Sequence, residues 1–590
     1  MLNKLLALVI IGVFVCSTAA QTAAPKPDEN AAKLEKEAVE FLRETSAEVG
    51  RLRTAENRIS FSAELAGLMW FHDDKEARAM YGNVVSDFKQ LLAQLDAQMN
   101  MPVVDDDDMN SGGFLFGGYG KSKAERKLRI AMAVRQQIAM SLAEHAPDLA
   151  YNFYYDSINL ITNAAFRKEI EQTDKSFESR LLTQIAESDA AKAVDYGKES
   201  VKRGLNMNHI ELLKKVYAKD VDKGIELGAA ILSRLKSETK SLENIYFYSR
   251  LLSFGSTNFE ASKKPGGKKA IYSQTDLRDI AEQVAQLALS DSEESNLYTV
   301  MESLDEIEKY APSRAVQIRA KFKSSHGSGN VKEMRLDRIT AIASNGANTA
   351  ANAAPNTAKY EAEQRAREER EKREKKMIED VMSLGKKELP KEERAKIIAE
   401  SRKIISQTPG KDKKIVALSL LAAQVAKAGD KDLADEIMRD AERLVNPEPK
   451  NYQDFMLSWM LASGYAEANP DKAFPILENT FLRANETISA FIKVAEFVDV
   501  NAEMIDEGEF QVGMFGGEMI RGMTRELGMA AGPLKTLARA DFTKTRNLTN
   551  VFDRTETRVL AKMLILRAVL DKREIKRTDE EMTERMSDDK

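Results

Sequence analysis

The chain has 590 residues, 43% of them apolar and 31% charged, with a formal net charge of −5. That length exceeds a single compact core and implies several domains or one extended array. A nearly balanced, slightly acidic chain has no global electrostatic pull toward nucleic acid, so nucleic-acid binding is disfavoured.

The N-terminus carries the most specific signal. Lys4 precedes an apolar run from Leu5 to Val15, and Thr18-Ala19-Ala20 offers small residues for cleavage. This pattern predicts a signal peptide over residues 1–20 and export to the periplasm or the medium. Cys16 raises the alternative of a lipid anchor, but Val15 stands where a bacterial lipoprotein carries a small residue. Cys16 is the only cysteine, so the mature chain relies on packing and has no disulfide. No later apolar run reaches the ~18 residues of a membrane span.

In chain order, residues 21–30 read as a flexible leader. A helix is expected from Ala31, with Leu34, Ala38, Phe41 and Leu42 on one face, followed by helices over Asn57–Phe71 and Lys75–Met99. Residues 101–122, with Asp105 to Asp108 and several glycines, predict an inserted loop. Helical patterning returns and runs to residue 323, with a second loop expected over Gly255–Gly267 ahead of the basic stretch Lys263 to Lys269. Residues 324–358 are low in complexity and read as a linker. Residues 359–376 form a charged helix in which acids precede bases at four-residue spacing, as in Glu361/Arg365 and Glu368/Lys372. A second helical region covers 377–571, interrupted at 507–532, and a charged tail occupies 572–590.

One short turn recurs seven times, beginning at Asp73, Ala146, Asp189, Asp220, Ala311, Asp430 and Asn469. In most copies a capping residue or a Pro opens a helix, and Ala or Gly four residues on lets that helix lie against its predecessor. Leu181–Gly204 also aligns with Leu212–Leu235 at an offset of 31 residues, with Asp189/Asp220, Lys192/Lys223 and Gly197/Gly228 identical. Repetition of this kind marks a helical-repeat array. The expected fold is all-α, with helical hairpins in two arrays, 31–323 and 377–571.

These paired helices and capped turns resemble tetratricopeptide-like α-solenoids, and the chain as a whole resembles secreted bacterial helical-repeat proteins. The resemblance implies a scaffold that holds a protein or peptide partner, and it transfers no catalytic residue.

The candidate chemistry is sparse. Gly120-Lys121-Ser122 ends like a phosphate-binding loop, but Leu115 replaces the required Gly, so an exposed loop is the better reading. Asp105–Asp108 fits a calcium loop only until Ser111 and Gly117, which favours a solvated acidic loop over loose calcium binding. His72, His145, His209 and His326 never pair at ligand spacing; His72 and His145 precede repeat turns, where capping a helix C-terminus suffices. Gly327-Ser328-Gly329 falls in the linker and no nucleophile elbow is present. Met514, Met519, Met523 and Met529 read as core filling, with Cu(I) or an adaptable partner surface as the sharper alternatives. Tyr151, Phe153, Tyr154 and Tyr155 are expected to be mostly core, with a sugar- or peptide-stacking patch as the alternative. No catalytic, cofactor or metal residue is assigned.

The expected function is therefore that of an exported, non-enzymatic interaction scaffold. A cell-envelope, glycan-active enzyme is the alternative, and it requires two converging carboxylates in a cleft, one with a raised pKa. A structural spacer is a third reading.

Overall fold

A computed structural model describes residues 29–101, 123–237, 244–291, 297–326, 357–385, 389–498, 505–511 and 528–571. The fold is all-α and built of helical hairpins. Among the described residues, strands are confined to one antiparallel pair, β1 (Ile505–Asp506) and β2 (Glu509–Phe510). The acidic loop, the linker 327–356, most of the Met-containing interruption, the N-terminal 28 residues and the tail lie outside the described residues. No described helix is long and apolar enough to cross a membrane.

The repeated turn is a corner made by one residue. Asp73, Asp189 and Asp220 each donate their own amide to the preceding helix at 2.8 Å, to Met69, Ile185 and Val216. Their side chains accept from the amides of Glu76, Lys192 and Lys223 at 2.9–3.0 Å. A single aspartate thus closes one helix and caps the next. Asp430 does the same, accepting from Leu433 at 3.1 Å. Where Ala or Asn holds the corner, Pro147, Pro312 or Pro470 opens the new helix and leaves no amide unpaired. The small residue one turn in is fully buried in each alanine copy: Ala77, Ala150, Ala193, Ala315, Ala434 and Ala473 are all 0% exposed. An eighth corner stands at Asp541, which accepts from Lys544 at 2.8 Å. Its packing position holds Thr545, which hides the copy from a search for Ala or Gly; the Thr545 hydroxyl donates to Asp541 O at 2.8 Å.

Contacts divide the chain into residues 1–137 with 356–590, and residues 138–355. The expected arrays 31–323 and 377–571 are therefore not the units that form. In the first unit, α1 (Glu29–Val49), α2 (Ala55–Met69), α3 (Asp74–Met99) and the start of α4 (Lys123–Ala143) join the C-terminal helices. The apolar face of α1 does carry Ala38, Phe41 and Leu42, each at most 2% exposed. It is buried in one core with Leu534, Phe542 and Leu566, and the Phe41 and Phe542 rings meet edge to face at 5.8 Å. Periodicity identifies a buried face but carries no information about its partner.

The second unit contains α5 (Pro147–Ile158), α6 (Ala164–Ser188), α7 (Ala190–Arg203), α8 (Asn208–Lys219), α9 (Val221–Ser237), α10 (Ile245–Ser262), α11 (Gln274–Ser290), α12 (Leu297–Glu302), α13 (Leu304–Tyr310) and α14 (Pro312–His326). The 31-residue match pairs the hairpin α6–α7 with α8–α9. A methyl group on Gly197 would lie 3.1 Å from Leu212, and one on Gly228 would lie 2.5 Å from Ile271. Both glycines admit the next element. Gly255 corrects the expected loop 255–267: it lies inside α10, where its missing side chain makes room for Leu277 and Tyr272. Close packing, not chain reversal, accounts for that glycine.

The first unit continues through α15 (Thr357–Ser383), which covers the expected charged helix, then α16 (Lys391–Gln407), α17 (Lys411–Lys427), α18 (Lys431–Glu442), α19 (Tyr452–Ala468) and α20 (Pro470–Val498). After the hairpin come α21 (Gly528–Ala540), α22 (Phe542–Asn547), a 3-10 turn (Leu548–Val551) and α23 (Thr555–Leu570). Val559, Met563, Ile565, Leu566 and Leu570 of α23 are all 0% exposed. A helix buried on several faces lies inside its unit.

Candidate functional site

The tyrosine-rich stretch divides as helix geometry requires. Phe153 and Tyr154 are buried at 5% and 2% exposure, whereas Tyr151 and Tyr155, one turn apart on α5, are half-buried at the surface. Tyr196 from α7 joins them. Its ring stacks on Tyr151 with centroids 3.8 Å apart and planes within 8°, and Tyr151 meets Tyr155 at 4.6 Å. The hydroxyls are fixed. Tyr196 donates to Asp148 at 2.6 Å, and Tyr155 donates to Glu178 while accepting from Arg203 at 2.5 Å. Lys192 also binds Asp148 at 2.5 Å, and these two hydrogen bonds hold the Asp148 carboxyl below its usual range. Burial, then the Glu178 charge, raises the Tyr155 phenol; burial, then the Asp148 bond, raises Tyr196. The result is a preorganised aromatic surface in which the Tyr155 and Tyr196 phenols stay neutral.

Tyr196 was not among the residues the sequence singled out, although a trace of it is present. The 31-residue offset places Tyr196 over Leu227, which is 0% exposed. A half-buried Tyr at a repeat position otherwise filled by a core Leu departs from the packing pattern.

The histidines take separate places. His72 spans α1 and α23, with ring nitrogens 2.6 Å from Glu35 Oε1 and 3.1 Å from Leu570 O. It does meet a helix C-terminus, but that of α23 and not its own helix. His209 is 0% exposed; its Nδ1 accepts from the Asn206 amide at 3.1 Å and its Nε2 lies 3.0 Å from Ser200 Oγ. Burial lowers its pKa to about 4. Because this folded value lies below the unfolded one of 6.5, the unfolded chain binds more protons between them, and stability falls as pH drops through that window. Urea unfolding followed by circular dichroism should show a loss of about 3 kcal/mol between pH 7 and pH 4 that is absent from His209→Gln. Equal pH dependence in the two proteins contradicts this assignment.

Among the described residues no group of three or more His, Cys, Asp or Glu is placed to hold a metal. Asp105–Asp108, Gly120-Lys121-Ser122, Gly327-Ser328-Gly329, Met514, Met519 and Met523 lie outside the described residues, as do the side chains of His326 and Met529.

A second candidate lies in the first unit. A half-open cavity of about 190 Å³ is lined by the start of α2 (Arg53, Thr54, Glu56, Arg58), one face of α3 (Leu91, Gln94, Leu95, Gln98), Lys127 of α4 and Glu507 of the hairpin turn. Glu56 is 2% exposed, and its Oε1 has no hydrogen-bond partner. Burial pushes its carboxyl above the usual range, and its own backbone amide and Lys127 only partly offset this. Lys127 Nζ lies 2.7 Å from Asp506 and 3.6 Å from Glu507. Burial opposes the Lys127 charge, but those acids and Glu56 outweigh it and raise its pKa. Glu507 has a φ of 52°, a left-handed conformation unusual outside glycine, and Gly508 follows at 71°. That turn brings Glu507 to the cavity.

No family model matches the chain. No curated protein matches it either.

Proposed function

We propose that this chain is a tetratricopeptide-like helical-repeat scaffold, exported to the periplasm or beyond, that binds a protein or peptide partner without catalysis. The observation that carries the reading is the stacked Tyr151–Tyr196 pair at the surface, with the Tyr196 hydroxyl anchored on Asp148. Rings already fixed in the free protein lose little side-chain entropy on binding, which is what a recognition surface requires. The capped hairpins of the same unit provide the rigid support.

The test uses a photo-cross-linking side chain at Asn152, an exposed position beside Tyr151. In native cells the yield of a discrete adduct is expected to fall about tenfold in the Tyr151→Ala/Tyr196→Ala protein, the loss of two aromatic anchors. Tyr452→Ala, at a residue 78% exposed on the first unit, should leave it unchanged. An adduct indifferent to the tyrosines removes them from the interface.

A second reading, a glycan-active envelope enzyme, draws on Glu56 and Glu507 lining one cavity. Release of reducing ends from purified cell-wall glycan would support it, and their absence would count against it.

A further inference from the structure

The basic stretch at the end of α10 is taken up by neither reading above. Lys263, Lys264, Lys268 and Lys269 are all exposed, yet they stand on a fixed turn. Gly266 takes a φ of 78°, and Gly267 N donates to Lys264 O at 2.9 Å. Tyr217 of α8 donates its hydroxyl to Lys269 O at 2.8 Å, and Lys268 Nζ donates to Ala218 O at 3.2 Å. The turn is thereby pinned against the C-terminal end of α8.

Acids answer only part of this charge. Lys269 pairs with Asp222 at 3.3 Å, while Lys263 shares the single carboxylate of Glu260 with Lys309. Lys268 meets a carbonyl and the Tyr217 ring, 6.0 Å from its centroid, and Lys263 lies 4.3 Å from the Phe259 centroid. Rings and carbonyls hold an ammonium group in place without cancelling its charge. Lys264, and Lys219 at the end of α8, have no carboxylate partner among the described residues. Asp220, beside Lys219, is committed to the corner, where it accepts from the Lys223 amide at 3.0 Å. The outcome is an exposed, partly preorganised positive surface on a chain of net charge −5.

The surface chemistry selects among anions. Its cations are lysines, point charges without the planar fork that arginine offers to phosphate. The Tyr217 and Phe259 rings lie under ammonium groups, which obstructs their use as platforms for stacked bases. A long polyanion would also meet the acidic remainder of the chain, whereas a short acidic segment need not. We propose that the turn after α10 and the end of α8 dock an acidic peptide segment of a partner protein, its carboxylates pairing with Lys219, Lys264 and Lys268. This contact uses neither Tyr151 nor Tyr196 and is independent of the tyrosine surface.

Fluorescence polarisation with the full chain and a labelled oligoglutamate peptide tests it. Binding is expected, and Lys219→Glu/Lys264→Glu should weaken it about tenfold by placing repulsion at two sites. Both lysines are exposed and neither is bonded to another described residue, so that variant should fold, which circular dichroism verifies. Lys391→Glu/Lys431→Glu makes the same change in net charge at exposed positions of the first unit and should leave binding intact. A peptide that fails to bind, or one weakened equally by both pairs of substitutions, would overturn the proposal. So would tighter binding of an oligothymidylate or of phosphatidylglycerol vesicles at the same salt concentration.

Discussion

Glu509→Ala is expected to destabilise the first unit by about 3–5 kcal/mol, since it removes several hydrogen bonds to a charged group, each worth about 1.5–3 kcal/mol. Thr54 precedes α2 but makes no side-chain cap bond, so the amides at the start of that helix need an acceptor from elsewhere. Glu509, only 4% exposed, supplies it from the hairpin. Its carboxylate accepts from Arg53 N at 2.5 Å, Thr54 N at 3.0 Å, Thr54 Oγ1 at 2.9 Å and Asn57 Nδ2 at 3.3 Å. Alanine leaves all four donors without this acceptor, those of Thr54 and Asn57 in a buried setting. Glu509→Gln retains one oxygen and should lose roughly half as much. Urea unfolding read by tryptophan fluorescence is the suitable measurement, because both tryptophans, Trp70 and Trp459, belong to the first unit. An Ala variant within about 0.5 kcal/mol of wild type would contradict the capping role.

Arg567→Met should cost a similar amount, about 3–5 kcal/mol, for a different reason. Arg567 of α23 and Glu64 of α2 form an ion pair at 6% and 3% exposure. Gln137 donates to the same carboxylate at 2.9 Å and is itself oriented by the Ser60 hydroxyl at 2.7 Å. Removing the arginine strands a buried negative charge. Removing both charges, as Glu64→Leu/Arg567→Met, exchanges the pair for apolar volume and should recover most of the loss. A double variant no more stable than the single one would mean that packing, not charge, dominates at this position.

These two networks show why part of the fold was legible in the sequence and part was not. The corners at Asp73, Asp189, Asp220 and Asp430 were readable because capping is local: donor and acceptor lie three residues apart. The corner at Asp541 was hidden by Thr545 alone. The α1 face of Ala38, Phe41 and Leu42 was equally plain, yet nothing in its period names α23 as its partner. Glu509 and Arg53 are 456 positions apart, and a pairing across that distance leaves no periodic trace. Gly255 was misleading because a packing glycine and a loop glycine look identical in one sequence. The candidate sites follow the same rule. Tyr151 and Tyr155 were visible as a cluster, Tyr196 only as an irregularity in a repeat, and Glu56 not at all, since its singularity lies in an oxygen that meets nothing.

Residues 29–137 fold onto 357–571 and not into an array of their own. This is tested most directly by inserting a protease site between residues 340 and 341, cutting the purified protein, and passing it through a sizing column under native conditions. The two fragments are expected to elute together and separate only in denaturant, because Phe41, Glu64 and Arg53 of one are packed against Phe542, Arg567 and Glu509 of the other. Two fragments that part without denaturant, each folded, would contradict it.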